Sequence, residues 1–347
     1  MMLNILNSIG CKATVPHMHA ARILQGMYTV FCFRILSCII QIVSFLNTSF
    51  TQGSPSISAS KMTPYNMPNW LRIFLLILTR ITFLPQVLAL FRRRDVSGIS
   101  IYYVFFNLVV STELFTLSFF FVTNQADGSD VFVHDPPDVG DWLNLAQFTD
   151  VCALWLLIFV LSIYFSHPEK RWRNATVVAL YTSYLLISVL PAFFNALLSY
   201  RHPDSPNADR WFAALFHGCH TLFLAPLITL LAAAALPIQV RTILALPRGS
   251  GTGALSVPTL AAQAVVFAVV GATWWPGRLV FPEDLGSPVT YFKAWYSLVG
   301  FVPVDYAVFA LAQAVLFFVA VWWSHRPRES DGGLTADAGE REPLLSR

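Results

Sequence analysis

Charge is scarce in this sequence. Only 12% of its 347 residues are Asp, Glu, Lys or Arg, while 56% are hydrophobic. Soluble chains carry about 25% charge. So few charges cannot build a water-facing surface over this length, which excludes an ordinary soluble domain. Cysteine is scarce too. Cys11, Cys32, Cys38, Cys152 and Cys219 form no CxxC pair, and most lie within or beside apolar stretches. Neither a zinc site nor a disulfide framework is expected. There is no nucleophile–base arrangement, phosphate-binding loop or nucleotide motif. The chain therefore reads as a non-enzyme with no cofactor and no bound metal. Its basic residues sit in short loops with no basic domain around them, which argues against a nucleic-acid partner.

What is present is a series of apolar blocks near the ~20 residues that cross a bilayer as a helix. They run at about 70–90, 101–123, 142–165, 175–199, 211–236, 254–275 and 303–324. Lipid offers the backbone no hydrogen bonds, so each block is expected to be helical. Lys and Arg favour cytoplasmic loops. Arg92, Arg93 and Arg94 lie in one loop, Lys170, Arg171 and Arg173 in another, Arg241 and Arg248 in a third, and Arg326 and Arg328 follow the last block. The intervening 124–141 loop has no Lys or Arg and carries Asp127, Asp130, Asp135, Asp138 and Asp141. This alternation places the basic loops and the C-terminal tail in the cytosol.

The first 66 residues are read as a leader or an extra hydrophobic segment. Residues 27–46 are apolar except for Arg34 and Gln41. An eighth helix, a signal anchor, a signal peptide and a true start at Met62 or Met67 all stay open.

The first and fifth blocks end alike. The first has Leu84-Pro85-Gln86, then Arg93, Ser97, Gly98 and Ser100. The fifth has Leu236-Pro237-Ile238-Gln239, then Arg248, Gly253 and Ser256. Asn107 follows Ser100, and Gln263 follows Ser256, at the same spacing into the next helix. Helices one to three (67–165) and five to seven (206–324) thus form two units, with helix four (166–205) as the linker. An odd linker lets both units face the same way, a parallel 3+1+3 repeat of the kind known in secondary transporters.

The stretch LPQVLALFRRRDVSGIS resembles a full PQ-loop motif. Members of that family include lysosomal cystine and cationic amino-acid exporters, and the SWEET sugar carriers are related. The second copy departs from the pattern: Ile238 separates Pro237 from Gln239, and the loop from Gln239 to Ser256 is longer than that from Gln86 to Ser100. The resemblance implies a carrier of a small polar solute such as an amino acid, coupled to protons and sited in a vacuolar or lysosomal membrane. Two other readings stay open: a non-transporting PQ-loop factor of the endoplasmic reticulum, and a seven-helix receptor.

Several residues then become candidates. Pro85 and Pro237 are hinges or static kinks, since proline removes a helix hydrogen bond and crowds the preceding turn. Gln86 and Gln239 cap freed backbone groups or touch the solute. Asn107 and Gln263 line the pathway or tie helices together. Glu113 sits near the bilayer midplane, where charge is costly and functional by default. Glu113 is a proton-coupling or solute-binding carboxylate, or a neutral, hydrogen-bonded carboxyl that ties two helices together, and Asp150 is a second candidate for proton coupling. Asp305 is another, or it serves the N-terminal dipole of the last helix. His217 and His220 share a helix face, as pH-sensing or packing residues. The tail, 325–347, is polar and is expected to be disordered. Its Glu340, Leu344 and Leu345 fit the acidic dileucine signal by which sorting adaptors direct cargo.

Overall fold

The structure is a computed structural model that describes residues 67–124, 132–134, 136–201, 206–247, 252–277 and 288–325. Residues 1–66, Asp127, Asp130 and Asp135, and the tail residues Glu340, Leu344 and Leu345, for all of which the sequence raises expectations, lie outside them. Among the described residues seven helices are long and apolar enough to cross a membrane. They are α1 Asn69–Arg93, α2 Ile101–Thr123, α3 Val139–Tyr164, α4 Pro168–Leu197, α5 Trp211–Leu244, α6 Val257–Trp274 and α7 Tyr291–Ser324.

Local chemistry sets several ends. Asp138 caps α3: its side chain accepts from the Asp141 N–H at 2.8 Å, and Asp141 Oδ2 accepts from the Asp138 N–H at 3.0 Å. This reciprocal box satisfies donors that a helix start leaves orphaned. Arg94 closes α1 in the left-handed conformation.

Three spans are internally irregular, and each irregularity lies just before a proline. The helix breaks at Ser188 within α4, ahead of Pro191. In α5 a π-helical segment, Cys219–Leu224, precedes Pro226. In α7 a second one, Tyr296–Gly300, precedes Pro303. Proline has no N–H to donate and pushes against the carbonyl four residues back, so the turn before it widens or breaks. Pro85 and Pro237 behave otherwise. Each lies inside an α-helix that continues past it, to Arg93 and to Leu244. The fifth helix thus extends beyond the 236 boundary read from its apolar residues. The last one starts at Tyr291 rather than 303, because Pro303 is absorbed behind the π-helical segment.

Packing follows a repeated scheme. α3 packs against both α1 and α2, and α7 packs against both α5 and α6. Across the middle α2 meets α5 and α1 meets α6, while α4 leans on α2. The most apolar window of α2 is 72% buried and that of α4 only 22%, which makes α2 a central helix and α4 a peripheral one. Ile73, Ile77, Ile81 and Leu84 form an exposed stripe at helical spacing along α1. Such a stripe matches a hydrocarbon solvent.

At the centre stands an aromatic layer. The Trp155 ring on α3 meets Phe83 of α1 edge-on at 5.5 Å, Tyr103 of α2 at 5.7 Å and Phe309 of α7 at 5.9 Å. Phe267 of α6 closes the set against Phe309 at 4.7 Å. Edge-to-face pairs of this kind contribute about 0.5–1.5 kcal/mol beyond area burial.

Candidate functional site

The two Pro-Gln segments meet at one end of the helices, and each glutamine reaches into the other's loop. Gln86 Nε2 donates to the Ala254 carbonyl at 3.0 Å, while its Oε1 accepts from the Ser256 N–H at 2.8 Å. Gln239 does the same in return: Nε2 donates to the Gly98 carbonyl at 2.7 Å, and Oε1 accepts from the Ser100 N–H at 2.9 Å. Both amides are buried, so each satisfies one backbone donor and one backbone acceptor that would otherwise be costly to bury. The loops also touch directly. The Ala254 N–H donates to the Ser97 carbonyl at 2.7 Å, and Arg93 donates to the Gly253 carbonyl.

Asp95 shapes the first loop by accepting from the Ser97 N–H at 3.1 Å. Burial pushes this carboxyl upward, but hydrogen bonds from Ser97 and Val96 and the nearby His167 outweigh it, so it sits below the usual carboxylate range.

Directly behind this clasp is a cavity of ≈ 20 Å³, lined in part by Gln86, Tyr103, Trp155, Thr259 and Gln263. It has room for about one water. The Tyr103 hydroxyl accepts from Gln313 Nε2 of α7 at 2.8 Å. Of the two matched amides, Gln263 lines the cavity. Asn107 is buried and donates back to the Tyr103 carbonyl of its own helix at 2.8 Å.

Deeper in the span are three buried carboxyls on three different helices. Glu113 of α2 is 1% exposed. Its Oε2 accepts from the Tyr184 hydroxyl and, at 3.0 Å, from the Ser188 hydroxyl, both on α4. Its Oε1 lies 2.5 Å from Nδ1 of His220 on α5. Asp150 of α3 pairs with Arg80 of α1, whose Nε donates to both carboxylate oxygens at 2.8 and 2.7 Å. Asp305 of α7 accepts from the Thr229 hydroxyl of α5, and Thr229 in turn meets the Tyr296 hydroxyl at 2.8 Å. The second oxygen of Asp305 is buried with no hydrogen-bond partner among the described residues. Asp305 therefore does not serve the start of a helix. The helix begins well before it, and its carboxyl faces α5.

At the opposite end from the clasp, His134, Asp138 and Asp141 bring three donor atoms within 4.8 Å of one another. Asp138 and Asp141 already cap α3, Asp141 also accepts from the His134 N–H at 3.0 Å, and the Arg72 guanidinium feels both carboxylates. A cation there would compete with Arg72. The arrangement reads as a capped helix start.

Reading the residues alone missed Arg80, Tyr184, Ser188, Thr229 and Tyr296. Arg80 carried a signal, since a cation inside an apolar block needs a partner. The tyrosines, Ser188 and Thr229 carried none, because such residues are common in membrane helices.

No curated protein and no solved structure matches this chain. One family model does. It covers residues 67–127, from the start of α1 through α2 and the Gln86 loop between them. Over that stretch the chain carries a PQ loop repeat.

Proposed function

We propose that this protein is a secondary transporter of the PQ-loop type that moves a small polar solute, such as an amino acid, out of a vacuole or lysosome with protons. The observation that carries the reading is the reciprocal clasp. Gln86 binds the loop after α5, Gln239 binds the loop after α1, and Gln86 also lines the cavity. In this reading the two matching units are related by a two-fold axis. The contacts of α1 with α6 and of α2 with α5 support that arrangement. The 3+1+3 units then rock about the shared axis.

In this conformation the clasp and the aromatic layer close the pathway on both sides of a water-sized space. Opening toward the cytosol breaks the four glutamine hydrogen bonds, and Pro85 and Pro237 supply helix positions already short of one backbone bond. Gln86, Tyr103 and Gln263 offer the solute donors and acceptors. Glu113, Asp150 and Asp305 are the carboxyls available to carry a proton. Asp150 is engaged by Arg80, which leaves Glu113 and Asp305 as the stronger candidates.

The test is uptake of a panel of amino acids and sugars into proteoliposomes under an imposed pH gradient, with Gln86→Ala alongside. Wild type is expected to accumulate at least one solute in the presence of the gradient, and Gln86→Ala to alter the rate. Failure to carry any solute under any gradient sinks the carrier reading.

A further inference from the structure

Glu113 does not stand alone in the bilayer, and its surroundings define more than a buried carboxyl. Both hydroxyls on its Oε2 come from the linker helix α4, at and beside the break at Ser188. The group on its Oε1 comes from α5, within the π-helical segment Cys219–Leu224. The irregular turns of two helices thus converge on one carboxyl of a third. Among the described residues His220 is the one base that Glu113 touches, and its ring lies against Phe216 at a centroid distance of 3.9 Å. One turn nearer the outer end of α5 is His217, half-buried, close enough to feel the charge on His220. Its Nδ1 is buried with no hydrogen-bond partner among the described residues.

We propose that Glu113, His220, Tyr184 and Ser188 form a proton-binding site at the junction of α2, α4 and α5, loaded from the outer end of α5 through His217. This deepens the transport reading above and rests on it for its role, though not for its existence.

The proton count is simple. Before loading, Glu113 and His220 share one proton across the Oε1–Nδ1 contact, and His220 Nε2 is an unprotonated acceptor. The arriving proton passes through His217 and binds Nε2. The pair becomes imidazolium and carboxylate, and the Nδ1–H···Oε1 bond persists. Release returns the proton and restores the shared one. No other bond forms or breaks. Imidazole is suited to this exchange because its charge changes between about pH 5 and 8.

Other titratable groups face the site. They are Tyr184 and Tyr181 on α4, His217 on α5, and Asp305 on α7, which lies close enough to feel Glu113. Because α4 contributes both hydroxyls, a change in charge on the pair alters how firmly the linker helix is held against α2. This gives the peripheral helix a role in coupling proton binding to movement.

The test is pH-difference infrared spectroscopy of the purified full-length protein in lipid nanodiscs between pH 5 and 8. Wild type is expected to show a reversible imidazole change together with a shift of one carboxylate band. Glu113→Gln removes the carboxylate change and His220→Gln removes the imidazole change. Tyr184→Phe moves the midpoint without abolishing either band, and His217→Ala slows the response to a pH jump while both bands persist. If Glu113→Gln does not fold, Glu113→Asp keeps a carboxyl and is expected to displace the band rather than delete it.

A wild-type spectrum that does not change with pH overturns the proposal. So does a pH change that survives unaltered in both Glu113→Gln and His220→Gln. A pH-dependent pair in a protein that carries no solute keeps this site and sinks the carrier reading. Solute transport with an invariant spectrum does the reverse.

Discussion

Gly98 and Gly253 show how little freedom the clasp leaves at single positions. Their φ angles are +80° and +61°, a region that L side chains rarely adopt. A β-carbon on Gly98 would also fall against the carbonyl oxygen of Thr252, and one on Gly253 against that of Ser97. Both contacts are closer than real β-carbons show, and the opposing atoms are backbone, which cannot swing aside. Each Gly→Ala change is therefore expected to cost about 1–3 kcal/mol, the usual range for a strained backbone position. A lower Tm in detergent checks this, and an unchanged Tm for both variants counts against the clasp.

A second residue-scale case is Arg80 with Asp150. Removing the arginine leaves a buried carboxylate without its partner, which costs more than removing both charges. Arg80→Ala is expected to unfold more readily than Arg80→Ala with Asp150→Asn. A double-mutant cycle on denaturation measures the coupling, expected at about 0.5–3 kcal/mol.

At the scale of elements, the two loops are held by side-chain amides rather than by their own backbone. Gln86 and Gln239 each serve one N–H and one carbonyl of the opposite loop. Gln86→Leu keeps the bulk and leaves both backbone groups unsatisfied, at about 1–3 kcal/mol. Opening is then favoured. A cysteine placed at Thr259, which lines the cavity, is expected to react faster with a water-soluble thiol reagent in the Gln86→Leu background. Equal rates in the two backgrounds sink the idea that this pair keeps the end closed. The three irregular turns belong to the same scale. They lie ahead of Pro191, Pro226 and Pro303, whereas the helices run on through Pro85 and Pro237. A proline in the sequence does not say which of these outcomes occurs.

For the whole molecule, the basic-loop alternation makes a topological prediction. In sealed vesicles of a cysteine-free variant, single cysteines at Ser97, Trp172 and Leu246 are expected to label from the cytosolic side. One at His134 should label only from the other side. Labelling of Ser97 and His134 from the same side rejects the arrangement. A second prediction concerns address. Leu344→Ala with Leu345→Ala is expected to move the protein from the vacuolar or lysosomal membrane to the cell surface, as seen by microscopy. An unmoved vacuolar rim removes Leu344 and Leu345 from the sorting role, and a reticular pattern in the unaltered protein removes the location.

Composition and apolar run length by themselves determined the seven membrane-capable helices found among the described residues, because hydrocarbon accepts few charges and demands a self-satisfied backbone. The repeated Pro-Gln segments were legible as well, since they recur at matching places along the chain. Glu113 stood out because a carboxyl at mid-span is expensive wherever it points. Partners were not legible. That Gln86 binds Ala254 and Ser256, that Glu113 meets His220, Tyr184 and Ser188, and that Asp305 faces Thr229 rather than a helix terminus were decided only by tertiary structure. The reason is physical. Burial cost is a property of one residue and its neighbours in sequence, but a hydrogen bond needs two groups within about 3 Å. Which distant groups come that close depends on how the helices pack.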